Sequence, residues 1–99
     1  MRSLLIAAAA LIMVPQVALG DDVAARSMAA TCAACHGTDG HSVTKTVEPL
    51  AGRPKERLVE LLQAFKTGKK PSTIMQQISK GYSDQQLELI AGYLAAQKK

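Results

Sequence analysis

The stretch that decides this chain is Cys32-Ala33-Ala34-Cys35-His36-Gly37. It holds both cysteines of a 99-residue sequence and one of its two histidines. At the end of a helix, residues three apart lie on one face with their side chains roughly 5–6 Å apart, so the two thiols stand side by side. The imidazole follows at the next position, and Gly37 then stops the helix.

This is the C-x-x-C-H spacing of covalent c-type haem attachment. Cys32 and Cys35 can each add to one vinyl group of the same porphyrin, and His36 can offer its imidazole to the iron as proximal ligand. The competing chemistries use the residues less completely. A Cys32–Cys35 disulfide would close a very small loop, stabilise little and leave His36 without a role. A thioredoxin-like dithiol expects a βαβ context, and no window here alternates apolar and polar residues long enough for a sheet. A structural zinc site needs four ligands, whereas His41 is the only other imidazole and no third cysteine exists.

A six-coordinate iron needs a second ligand from far enough along the chain to wrap round the ring. His41 is too near and reads as a solvent-facing loop histidine. Met1 and Met13 belong to the N-terminal segment, and Met28 lies on the attachment helix itself, where it should face the core. Met75 lies forty residues beyond Cys35, in a segment bounded by Gly and Pro, and its soft thioether suits the iron. Histidine–methionine ligation raises the reduction potential and leaves no vacant coordination position, so the expected chemistry is one-electron transfer without bond-making catalysis.

Upstream, Met1-Arg2 precedes an apolar run from Leu4 to Val14, then Pro15 and the small residues Ala18 and Gly20. At roughly eleven residues the run is too short for a membrane span, which needs about twenty, and it has the form of a secretory signal peptide. Residues 1–20 are therefore expected to be removed on export, leaving a single domain over residues 21–99 with no membrane span. Loss of Arg2 lowers the formal net charge from +4 to +3.

Asp21 to Cys35 is free of Gly and Pro and reads as one helix. Gly37 to Gly52 has neither hydrophobic period and reads as a loop tied down by something it wraps. Gly52-Arg53-Pro54 opens a second helix with Pro54 in its first turn, and Leu58, Leu61, Leu62 and Phe65 give it one apolar face before Gly68 closes it. A short helix capped by Ser72 or Thr73 carries Met75. Ser83-Asp84-Gln85-Gln86 has the capping-box form, with Leu87, Ile90, Ala91 and Leu94 at helical spacing behind it. The class is all-α. Phe65, Tyr82 and Tyr93 are the only aromatic side chains, and a domain this small is marginal on apolar burial alone. A haem would supply the missing apolar bulk.

Together these residues resemble the small class I cytochromes c over essentially all of residues 21–99, with CAACHG as the attachment motif, Pro49-Leu50-Ala51-Gly52 as the loop packed on the ring and Met75 at the axial position. The resemblance implies three to four helices wrapped around one covalently attached haem. More narrowly, Phe65-Lys66-Thr67-Gly68, Ser72-Thr73-Ile74-Met75, Ser79-Lys80-Gly81-Tyr82-Ser83 and Ala91-Gly92-Tyr93 resemble the cytochrome subunit of flavocytochrome c sulfide dehydrogenase. In that family a periplasmic flavoprotein oxidises sulfide and passes electrons singly to the haem subunit. Two departures stand out. Where family members often carry Gly-Pro, whose proline carbonyl accepts from the proximal imidazole, this chain has Val43-Thr44-Lys45-Thr46. Ala24 and Met28 stand where the first helix usually offers Gly and an aromatic to the last helix, which predicts a softer contact with Tyr93.

Lys66, Lys69, Lys70 and Lys80 flank Met75 and could ring the exposed haem edge toward an acidic redox partner. The modest charge, with no aromatics among the basic residues, argues against nucleic acid. Three functions follow as expectations: a haem subunit accepting electrons from a sulfide-oxidising flavoprotein, a diffusible cytochrome shuttling electrons to a terminal oxidase or other reductase, and a haem-free thiol or metal-binding protein.

Overall fold

A computed structural model describes residues 9–10 and 16–99, and the described elements are all helical. They are α1 (Gln16–Ala30), α2 (Ala33–His36), a 3-10 turn at Thr38–Gly40, α3 (Lys55–Thr67), α4 (Thr73–Lys80) and α5 (Asp84–Ala95). The expected leader over residues 1–20 falls mostly outside the described residues, although α1 already begins five residues before Asp21. Among the described residues no helix is long and apolar enough to cross a membrane.

The expected single helix from Asp21 to Cys35 is instead two. The amides of Thr31 and Cys32 reach back only three residues, to the carbonyls of Met28 and Ala29, which tightens the last turn of α1. The Thr31 hydroxyl also donates to the Met28 carbonyl at 2.7 Å, a local bond that competes with helix continuation. Four residues later α2 ends at Gly37, whose φ of 83° is open to glycine at little cost.

The other boundaries follow local chemistry closely. Pro54 sits just before α3, at its N-cap position, and Gly68 ends that helix in the left-handed conformation. Ser72, not Thr73, caps α4 by accepting from the Met75 amide. Ser83 and Gln86 form the reciprocal capping box of α5, at 3.1 and 2.9 Å.

Packing joins α1 to α5 and sets α3 against both α4 and α5. The buried apolar residues are Ala25, Ala29, Ala51 and Ala91 with Leu58, Leu87, Ile90 and Leu94. On α1 the buried positions are Ala25 and Ala29, one residue on from the expected Ala24, while Met28 is partly buried beside the same core. The Tyr93 hydroxyl donates to Asp39 at 2.7 Å. Acceptance by that carboxylate holds the phenol protonated and pushes its pKa up, with desolvation adding to the effect. Half of this core is alanine, which buries little area per residue. Four large aliphatic side chains leave the centre of the bundle short of apolar bulk.

Candidate haem site

The missing bulk has a place. A cavity of about 420 Å³ opens among α2, α3, α4 and α5, within the range of pockets that enclose small molecules. Its walls bring together Cys32 at the N-cap of α2, Cys35 and His36 within α2, and Met75 from α4, forty positions beyond Cys35. The apolar face expected on α3 also lines it: Leu58, Leu61, Leu62 and Phe65. Ile74 and Ile78 border the cavity from α4 while remaining 66 % and 40 % exposed. Aliphatic side chains left that open beside a cavity are suited to the face or edge of a flat apolar ring.

Cys32 is half-buried and Cys35 is exposed. Desolvation pushes the Cys32 thiol up, partly offset by the adjoining Thr31 side chain. His36 Nδ1 lies 2.7 Å from the backbone carbonyl of Glu48. A carbonyl can only accept, so Nδ1 carries the proton and Nε2 is the nitrogen with a free lone pair. This is the tautomer a metal-ligating histidine needs, with its other nitrogen held by a fixed acceptor. The residue supplying that acceptor was not legible in the sequence. It lies beyond Val43-Thr44-Lys45-Thr46 and immediately precedes Pro49; that following proline was the only local hint.

The rest of the loop is tied to the frame. The Gly40 carbonyl accepts from the amides of Leu50 and Ala51, at 2.9 and 3.2 Å, and the Leu94 carbonyl accepts from Gly52 at 3.0 Å. His41 is exposed as expected, but its ring nitrogens lie 3.1 and 2.5 Å from the carbonyl oxygens of Thr38 and Lys98. Among the described residues no group of three His, Cys, Asp or Glu side chains converges as a metal cluster would.

A family model described as cytochrome c oxidase, cbb3-type, subunit III, matches residues 21–94. The chain belongs to the c-type cytochromes. Members of this family are electron carriers built around covalently bound haem c, and the donor set of two thiols, a pre-set imidazole and a thioether around one apolar cavity fits that group. The chain is 40 % identical over 81 residues to cytochrome c4 of Pseudomonas aeruginosa, an alignment spanning 82 % of this chain and 40 % of that protein. It is 40 % identical over 63 residues to the cytochrome subunit of sulfide dehydrogenase of Chlorobaculum tepidum, covering 64 % of this chain and 56 % of that one. Cytochrome c-554(548) of Halomonas halodenitrificans is 30 % identical over 82 residues, covering 80 % of this chain and 99 % of the relative. The chain thus spans about two-fifths to just over half of the first two relatives and nearly all of the third.

Of the four lysines near Met75, Lys66 is already engaged. Its ammonium donates to the Tyr82 carbonyl at 2.8 Å and to Asp84 at 3.0 Å. Hydrogen bonding from Gln63, then the bond and charge of Lys66, hold the Asp84 carboxyl below its ordinary range. Lys70 lies over the Phe65 ring, 5.4 Å from its centroid, and borders the cavity, while Lys69 and Lys80 are exposed.

Proposed function

We propose that this cytochrome carries single electrons through a haem held by thioethers to Cys32 and Cys35, with His36 and Met75 as axial ligands to the iron. The cavity that collects these four side chains, with the His36 tautomer set by Glu48, is the observation that supports the proposal most directly. The bound group supplies one-electron redox chemistry at the iron. The chain's own residues orient the imidazole and offer a thioether, and the Leu and Ile side chains that line the cavity would give the group an apolar surrounding, which would favour the less charged state of the iron. Histidine–methionine ligation leaves no vacant position, so substrate turnover at the metal is not part of the role.

We further propose residues 1–20 as a cleaved export signal and the periplasm as the working compartment, supported by the charged start, short apolar run and small-residue exit of that segment. For the partner, the favoured reading is a sulfide-oxidising flavoprotein that hands electrons to this chain. It is supported by the similarity to a cytochrome subunit of sulfide dehydrogenase and by the local wording around Met75. A free shuttle to a terminal oxidase or other reductase is the second reading, supported by a relative of which this chain covers 99 %.

The test is an absorption spectrum and native mass on protein purified gently from its own host. Haem and flavin bands together, at a mass well above the single chain, are the expected outcome. Haem bands alone at the monomer mass would assign the free shuttle. Titratable thiols without haem would overturn both and leave the thiol or metal-binding function.

A further inference from the structure

Glu48 makes two polar contacts, at opposite ends of the residue. Its carbonyl accepts from His36 Nδ1 at 2.7 Å, and its carboxylate accepts from the Arg53 guanidinium at 3.1 Å. On its N-terminal side the loop gives Glu48 no evident support: the side-chain hydrogen bonds of residues 42–46 run only between Ser42, Thr44 and Thr46. On its C-terminal side Pro49 has no N–H to donate, and the first anchored amide is that of Leu50, which donates to the Gly40 carbonyl. The turn then closes on itself through the Arg53 amide, which donates to the Leu50 carbonyl at 3.3 Å. Arg53 therefore grips Glu48 from the far side of a turn whose own backbone is fastened to the 3-10 segment and to α5.

We propose that Glu48 and Arg53 are positioning residues for the proximal imidazole: their ion pair closes the 48–53 turn and holds the carbonyl against His36 Nδ1–H. This rests on His36 being the proximal ligand. An ion pair with side chains 32 % and 70 % exposed adds little to global stability. Its effect is local, because it restrains the peptide that the imidazole reads, and a well-held acceptor makes the ligand more basic. Arg53 also borders the cavity while its guanidinium pairs with Glu48.

The experiment uses the reduced holoprotein labelled with ¹⁵N-histidine and follows solvent exchange of the His36 Nδ1 proton by NMR. In Glu48→Ala and in Arg53→Gln the exchange should quicken by about tenfold, the signature of a local opening made easier. The reduction potential of Glu48→Ala should rise as the imidazole becomes a weaker donor. In the unmutated protein the same exchange should quicken as salt shortens the Debye length from about 30 Å to about 3 Å, and this salt response should vanish in Glu48→Ala. Unchanged exchange in a variant that carries haem normally would overturn the proposal. So would an equal salt response with and without Glu48, a comparison that stands even if the Arg53 variant fails to assemble. Failure of the ligand assignment itself would show separately, in the absorption spectrum of the unmutated protein.

Discussion

The hydroxyl of Tyr82, in the turn between α4 and α5, lies 2.9 Å from Oγ1 of Thr31, at the break between α1 and α2. The single hydrogen of Thr31 is committed to the Met28 carbonyl, so Tyr82 is the donor. The bond fastens the end of the methionine-bearing segment to the residue before Cys32, so the two segments that carry the proposed iron ligands share one frame. Tyr82→Phe should cost about 0.5–1.5 kcal/mol, the ordinary net worth of such a bond, seen as a lower denaturation midpoint in urea with the haem spectrum retained.

Met75→Ala should leave the haem covalently attached, because the thioethers are on the other segment, but lower the reduction potential and open a coordination position. Potentiometry together with titration of added imidazole, followed by absorbance, checks both effects. A potential equal to that of the parent would remove Met75 as a ligand.

A chain carrying Cys32→Ser and Cys35→Ser, and so lacking attached haem, should show no cooperative thermal transition. Its described core would retain four alanines and four larger aliphatic residues, too little burial for a domain of this size. Differential scanning calorimetry against the holoprotein is the measurement.

Gly40 has φ of 81°, and a Cβ placed there would fall 2.8 Å from the Ala51 amide nitrogen and 3.2 Å from the Leu94 side chain. Gly40→Ala therefore combines backbone strain with a clash against a loop that cannot retreat without losing its bonds to the Gly40 carbonyl. A loss above about 2 kcal/mol is expected, read from chemical denaturation of the haem-loaded protein.

Asp84 contributes to stability through Gln63 and Lys66 only while ionised. Its folded-state pKa is depressed, so the contribution is present above the ordinary carboxylate range and is lost as pH falls through the lowered value. Asp84→Asn should flatten that part of the acid limb of a stability-against-pH curve, and should also free Lys66 to sample solvent.

The local features were legible from the sequence because each is decided within a few residues. The C-x-x-C-H spacing is about one helical turn, the capping box of Ser83 is four residues long, and the apolar stripe of α3 repeats every three to four positions. Each can be read without knowing what lies opposite. Met75 was reached by a weaker route, from its distance along the chain and the softness of its thioether, and the cavity brings it to the same walls as His36. What only the tertiary structure decided depends on groups that carry no local signature. Every residue has a carbonyl, so nothing in the order of amino acids marked that of Glu48 as the acceptor for His36. The bond from Tyr82 to Thr31, the one-residue shift to Ala25 and Ala29, and the capture of Lys66 by Tyr82 and Asp84 belong to the same class. Each involves a competition between a local preference and a partner supplied by a distant segment, and that outcome is determined by the packed geometry.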